Sequence, residues 1–217
     1  GGATIKRKLP IPGAKSKGII QAMDFLKNQN QIIDEKINMQ PNLNAKNKNV
    51  IVIGGGDTGS DCIGTSNRHG AKSVINFEIL PKPPKQRSVE NPWPYWPFTL
   101  KSSSSHEEGS QRKWSILTKE FISDVNGKLT GLKTIEVEWK NINGQKPKLI
   151  EIDGTEKIWP CDMVLLALGF TGPEKNIFDD LNLKIDELNK PITKNYMTSN
   201  KKVFAAGDLR RGQSLIV

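Results

Sequence analysis

The chain has 217 residues, with 32 Lys and Arg against 23 Asp and Glu, a formal net charge of +9 and 35% apolar residues. That length suits one large domain or two small ones with a core of ordinary size. No run approaches the ~18 consecutive apolar residues of a membrane span, and the lysine-rich start lacks an apolar h-region, so neither an integral membrane protein nor a signal peptide is expected. The two cysteines, Cys62 and Cys161, lie far apart, which excludes a disulfide scaffold and a cysteine-ligated zinc or iron–sulfur site within the chain. A reducing compartment is the simpler reading. The charge rests on 26 Lys and only 6 Arg. A basic excess can serve nucleic acid or an anionic membrane surface, but these lysines are scattered among asparagines and read as compositional bias.

In chain order, residues 1–17, with Pro10, Pro12 and Gly13, read as an extended lead-in. Gly18 to Asn30 is apolar at helical spacing (Ile19, Ile20, Ala22, Met23, Phe25, Leu26) and predicts a helix. Pro41 to Asn49 is a loop. Val50 to Ile53 is a short, continuously apolar, β-branched run, the mark of a strand buried on both faces in a parallel sheet. A helix from Thr58 to Asn67 and a second strand over Ser73–Leu80 follow.

Residues 81–113 hold six prolines, which preclude regular structure, and four aromatic residues (Trp93, Tyr95, Trp96, Phe98) expected to pin the loop. Trp114–Ile122, Leu129–Lys140 and Leu149–Ile152 alternate and are separated by Asn126-Gly127 and Asn143-Gly144, which predicts a three-stranded antiparallel meander. Met163–Leu168 and Val203–Ala206 read as further strands.

The sharpest signal is the G-x-G-x-x-G of Gly54, Gly56 and Gly59, with Gly55, Asp57 and Thr58 between them. A lone match is weak; this one follows an apolar strand and opens a helix, as a dinucleotide fingerprint must. Gly54 lets the chain leave the strand tightly, Gly56 lets backbone approach a pyrophosphate, and Gly59 lets the helix pack closely. Glu78 sits near the end of the second strand, where a carboxylate can accept both ribose hydroxyls of NAD and repels the 2′-phosphate of NADP. Arg68, Lys82, Lys85 and Arg87 are the cations that would instead surround a 2′-phosphate, or else form a solvated rim. Of the two nucleotides, Glu78 favours NADH.

The run from Gly54 to Gly70 resembles the nucleotide turn of the glutamate synthase small subunit, or of the equivalent region of the fused eukaryotic enzyme. Pro81 to Pro84, Asn91 to Pro94, His106 to Glu108, Leu117 to Phe121, Leu165 to Glu174 and Ala206 to Leu215 extend the resemblance, as do Leu9 to Gly13 and Ala22 to Leu26. It implies an α/β fold: a Rossmann-like NAD(P)-binding domain of glutathione-reductase type with an antiparallel meander, inserted into an FAD domain. The implied divisions are 1–17 as connector and FAD-domain remnant, 18–170 as the NAD(P) domain with the meander at about 114–160, and 171–217 as connector and C-terminal FAD segment. Gly169 is implied at the NAD(P) site, and Gly207, Asp208, Gln213 and Ser214 at part of an FAD site. The implied activity is electron input to glutamate synthesis, with hydride passing from NAD(P)H to FAD and iron–sulfur and FMN centres lying in other regions. A related two-dinucleotide flavoprotein is the near alternative, and a basic nucleic-acid-binding module the remote one.

The resemblance further implies a fragment, inactive alone, whose partners are the remaining reductase and synthase domains rather than nucleic acid or membrane. It also implies a cytoplasmic or plastid location. Leu209 departs from a commonly cysteine position, and Ser102–Ser105 replaces a more structured stretch. Hydride transfer between cofactors needs no protein acid or base, so no catalytic residue is assigned. His69 is expected to cap a helix, His106 to order a loop, and both cysteines to lie in the core.

Overall fold

The computed structural model describes residues 2–89, 91–94, 98–140 and 147–212. In chain order the elements are β1 (Ile5–Lys6), β2 (Ile19–Gln21), α1 (Ala22–Ile33), β3 (Asn49–Ile53), α2 (Asp57–Arg68), β4 (Ser73–Phe77), α3 (Ser104–Glu107) and β5 (Gln111–Lys113). There follow β6 (Ile116–Ser123), β7 (Leu129–Lys140), β8 (Lys148–Glu151), β9 (Lys157–Pro160), β10 (Met163–Leu166), β11 (Phe170–Gly172), α4 (Asn176–Asp180) and α5 (Asp208–Arg211). They divide into two compact units, Pro10–Ala167 and the terminal segments Gly1–Leu9 with Leu168–Val217.

The larger unit is built on a five-stranded sheet in the order β2-β10-β3-β4-β5, parallel at every pairing. Its central strands are apolar on both faces because both faces are covered. Val50 and Val52 of β3, with Met163 and Leu165 of β10, pack against Ala22 and Phe25 of α1 and Cys62 and Ile63 of α2. Each of the buried Val, Leu, Ile, Phe and Met side chains among them contributes about 1.5–3 kcal/mol of transfer free energy. On the other face Phe77 meets Trp159 edge-on, with ring centroids 5.1 Å apart. This joins the parallel sheet to a second, antiparallel one in which β7 pairs with β6, β8 and β9.

This is the expected α/β class, with three corrections to its elements. The run from Gly18 does not begin a helix: Ile19–Gln21 forms edge strand β2 in register with Val164–Leu166, and α1 starts only at Ala22. The two β-branched residues take the strand because β10 offers them a partner. The meander is a four-stranded sheet, since β8 and β9 share one edge of β7, Val137–Lys140 and Gly131–Thr134 respectively. Lys157–Pro160 carries too weak an alternation to announce itself. The turn signal at Asn143-Gly144 lies outside the described residues. Finally, 81–113 is not wholly irregular: Ser104–Glu107 is a helical turn, and Gln111–Lys113 returns as a fifth parallel strand beside Ile75–Phe77.

The loop's aromatics do not all pin it. Trp93 is 83% exposed, while Tyr95 and Trp96 lie outside the described residues. Backbone bonds hold its base instead, with Leu100 N–H donating to Pro84 O at 2.8 Å and Phe98 N–H to Asn91 Oδ1 at 2.8 Å.

In the smaller unit β1 pairs antiparallel with β11, and Phe178 of α4 and Ala205 are buried. Val203–Ala206 is not a strand; only a single bridge, Met197 to Phe204, forms there. Among the described residues no helix is long and apolar enough to cross a membrane.

Candidate functional site

The glycine turn leaves β3 at its carboxyl end, between β10 on one side and β4 on the other, where open α/β sheets place ligands. Gly54 holds φ +120°, and its N–H donates to Phe77 O at 2.8 Å. A buried amide finishes the anchor: Asn76 Nδ2 donates to Val52 O at 3.1 Å and to Gly54 O at 2.8 Å. Gly56 stands at the N-cap of α2 without a side-chain cap, and Ser60 N–H is bonded to Gly56 O at 3.0 Å. The N–H groups of Asp57, Thr58 and Gly59 therefore open the helix without intrahelical acceptors, and the helix dipole favours an anion there.

The glycines have separate reasons to be glycine. A Cβ on Gly54 would stand 2.3 Å from Ala167 O, and one on Gly59 2.3 Å from Gly54 O, so both positions are closed by backbone. A Cβ on Gly55 would stand 2.1 Å from Glu78 Oε2, so the missing side chain makes room for that carboxylate. A Cβ on Gly56 meets no protein atom within 4 Å, and its φ of −80° suits any residue. The protein's own packing does not demand glycine at 56, whereas a pyrophosphate on the helix terminus would.

Glu78 lies just past β4 rather than within it, bonded by its N–H to Lys113 O at 2.9 Å and by Oε1 to Leu80 N–H at 3.2 Å. Its carboxylate is thereby held over the turn. Across from it β5 carries Arg112, which sequence reasoning missed because the strand was read as loop. Arg112 Nη1 donates to Lys101 O at 2.8 Å, and its Nε is buried with no partner among the described residues. Burial draws the Arg112 pKa below its usual value, and Glu78 acts in the opposite sense. The Arg112 guanidinium lies 5.1 Å and Lys82 Nζ 4.9 Å from the ring centre of Trp114. An aromatic face with two cations thus flanks Glu78. Asn76 was missed as well; it hides inside an otherwise apolar strand, and nothing short of the turn's geometry marks it.

The remaining expected residues are placed as follows. Arg68 ends α2, eleven residues and roughly 16 Å along the axis from Asp57, and is ion-paired with Glu108. It is not brought to the turn, because its helix carries it away. Arg87 Nη1 donates to Asn91 O at 3.2 Å within the proline-rich loop. Lys85 is exposed in that loop. Gly169, Gly207 and Asp208 belong to the smaller unit. Gly169 has φ +74° and its carbonyl accepts the Arg7 N–H at 3.1 Å; Gly207 has φ +60° and N-caps α5, which Asp208 opens. Gln213 and Ser214 lie outside the described residues.

Both histidines serve structure. His69 is the C-cap residue of α2, with Nδ1 accepting the Ala45 N–H at 3.3 Å and Nε2 lying 2.7 Å from Gln29 Oε1. His106 forms a capping box with Ser103 that starts α3, and Ser60 of α2 bonds Ser103 Oγ. Burial pushes the thiols of Cys62 and Cys161 up to about 12, so neither is a nucleophile.

The family model of the pyridine nucleotide-disulphide oxidoreductases matches residues 120–217. Over its whole length the chain is 46% identical to glutamate synthase (NADH) of Schizosaccharomyces pombe, of which it spans 11%. It is 43% identical, again over its whole length, to the glutamate synthase (NADPH) small chain of Mycobacterium tuberculosis, of which it spans 44%. Over its whole length the chain is thus similar to a segment of the glutamate synthases. It spans less than half the length of either of these glutamate synthase relatives. Among solved structures, Mycobacterium tuberculosis FprA in complex with NADPH superposes with a TM-score of 0.68 at 13% identity, over 99% of this chain and 58% of that one. A NAD-dependent persulfide reductase from A. fulgidus superposes with a TM-score of 0.58 at 20% identity, over 96% and 32%. At these identities the likeness concerns the fold, that of pyridine nucleotide oxidoreductases.

Proposed function

We propose that this glutamate synthase segment is the electron-input part of the enzyme, binding NADH on the Gly54–Gly59 turn and orienting its nicotinamide toward FAD. The observation that carries the reading is Gly56: it caps a helix opened by a G-x-G-x-x-G turn, and among the described residues no atom beyond its chain neighbours comes within 4 Å of a Cβ added there. The N–H groups of Asp57, Thr58 and Gly59 take the pyrophosphate, and Glu78 accepts the hydroxyls of the adenosine ribose. When bound, the reduced nicotinamide supplies hydride and the flavin accepts it, so the chain's own residues bind, orient and exclude water. Gly207 and Asp208, within the smaller unit, contribute one wall of a flavin site. In the whole protein the electrons serve glutamate synthesis from glutamine and 2-oxoglutarate, with the remaining reductase and synthase domains as partners and neither nucleic acid nor membrane involved.

A second reading, NADPH as donor, is favoured by Arg112 and Lys82 beside Trp114. A guanidinium with an unpartnered Nε next to the ribose carboxylate suits a 2′-phosphate. Calorimetric titration of the chain with NADH, NADPH and a mixed oligonucleotide tests both. Tighter binding of NADH than NADPH is expected. Binding of the oligonucleotide alone, with a steep salt dependence, would overturn the assignment.

A further inference from the structure

At the opposite end of the parallel sheet from the glycine turn, where β2, β3 and β10 begin, lies a second cavity of about 580 Å³, within the range of small-molecule sites. Lys17, Lys48 and Lys128 line it together with Asp124, Asp162 and Asn126. We propose that this cavity binds a small oxyanion of two or more charges, a phosphate or dicarboxylate group, independently of the nucleotide.

Three observations converge on that chemistry. The first is the fixed gathering of like charge. Lys17 and Lys128 are bridge partners, locked by Lys17 N–H to Gly127 O at 2.8 Å and Leu129 N–H to Lys17 O at 2.9 Å. The bridge is parallel and sets the two lysines side by side, where like charges repel unless an anion lies between them. Lys48 enters from the loop before β3, its N–H bonded to Ala45 O at 3.1 Å and its carbonyl accepting the Lys72 N–H at 2.9 Å. The second is that none of the three ammonium groups forms an ion pair among the described residues. Lys48 Nζ has only a long contact with Pro41 O, 3.5 Å.

The third is that both carboxylates already serve as acceptors. Asp124 Oδ1 accepts the N–H groups of Asn126 and Lys128, each at 2.9 Å, which closes the β6–β7 turn. Asp162 Oδ2 accepts Asn49 N–H at 2.8 Å and Asn49 Nδ2 at 3.2 Å, which fixes the start of β3. Burial, with Lys128 adding to it, draws the Lys48 pKa below its usual value against the opposing pull of Asp162. An oxyanion seated among the three lysines relieves their repulsion and takes charge-assisted hydrogen bonds that the protein leaves unmade.

The test is two-dimensional amide NMR of the full 217-residue chain, titrated with sodium phosphate, sodium succinate and, at matched ionic strength, sodium chloride. Saturable shifts at Gly18, Asn49 and Asn126 are expected with phosphate or succinate and not with chloride, and the tighter of the two identifies the source chemistry. Lys48→Gln with Lys128→Gln should weaken that binding at least about tenfold, while NADH, which belongs at the other end of the strands, should leave it unchanged. Should the double variant fold poorly, Lys17→Gln alone serves, with a smaller loss expected. Equal shifts with chloride, or unaltered binding in the variants, would overturn the proposal, whatever NADH does.

Discussion

Of the glycines in the turn, Gly56 and Gly59 make opposite predictions, and their comparison tests the assignment more sharply than either alone. Replacing Gly59 by Ala puts a Cβ 2.3 Å from Gly54 O, a backbone atom that cannot swing away. Restoring ordinary contact at about 3.4 Å requires the turn and α2 to separate by about 1 Å, the kind of overpacking that costs about 1–3 kcal/mol. The better helix propensity of Ala returns at most about 1 kcal/mol. With roughly 2–4 °C per kcal/mol for a domain of this size, the melting midpoint should fall by several degrees. Replacing Gly56 by Ala meets no protein atom within 4 Å at an unstrained φ of −80°. The small loss of N-cap preference and the reduced freedom of the unfolded chain act in opposite senses, so the midpoint should stay within about 2 °C.

Binding reverses the order of interpretation. On the proposed reading, the Gly56 Cβ takes the space of phosphate oxygens bound to the helix N–H groups, and displacing the phosphate forfeits one such bond, worth about 1.5–3 kcal/mol when the acceptor is charged. Calorimetry should therefore find NADH bound about 10- to 100-fold more weakly by a protein whose melting curve is unaltered. Wild-type affinity in Gly56→Ala would refute the pyrophosphate assignment. So would a Gly56→Ala protein destabilised as much as Gly59→Ala, because the loss would then be structural.

Three further substitutions address the rest of the site. Glu78→Gln keeps the side chain's size but removes the charge proposed to accept the ribose hydroxyls and repel a 2′-phosphate. The ratio of NADH to NADPH affinity should fall about tenfold, Arg112→Ala should move it in the opposite sense, and an unchanged ratio in both would remove the two residues from the adenosine end. Asn76→Ala leaves the carbonyls of Val52 and Gly54 without their side-chain donor and should cost about 1–3 kcal/mol by urea titration, with weaker NADH binding because Gly54 loses its anchor. The His69 pKa is lowered by burial and then by Arg68, and that of His106 by burial and then by Arg112, so each folded state resists protonation more than the unfolded one. Stability is then complete above about pH 6.5 and falls as the pH drops through each folded pKa; His69→Gln should flatten part of that fall in urea midpoints between pH 7.5 and 5, and an identical slope would clear His69.

The parts of this site legible in the sequence are those with a strong local pattern. Four consecutive β-branched residues before Gly54 announce a strand buried on both faces, and the glycine spacing announces the turn that ends it. What stayed hidden depends on partners distant in sequence. Ile19 and Ile20 satisfy helical spacing as well as they satisfy a strand, and only the pairing of Ile19 with Val164 decides between them. Gln111–Lys113 has no alternation at all; it is a strand because β4 leaves an open edge. Arg112 was lost with it. Arg68 is the converse case, a cation near the fingerprint in sequence that a rigid helix carries away from it in space.

The proline-rich excursion between β4 and β5 makes sense once its fastening is considered. A parallel neighbour requires a crossover, usually made by a long helix whose packing fixes the returning strand. Here α3 is a single turn, too short to hold anything by its own packing, and α2 supplies the hold. Ser60 bonds Ser103 and Arg68 pairs with Glu108, while Asn67 Nδ2 donates to Gly109 O at 2.7 Å. Gly64 completes the clasp, since a Cβ there would stand 2.7 Å from Ser105 Oγ and 2.9 Å from Ser105 Cβ. The glycine at 64 thus does for the crossover what Gly59 does for the turn: it lets a second segment lie against the same helix. Because α2 both opens at the glycine turn and clasps the segment leading to Arg112, one helix sets the spacing between the groups proposed to bind the pyrophosphate and those proposed to read the ribose. On the proposed reading, discrimination between the two nucleotides rests on residues that lie far along the chain from the fingerprint.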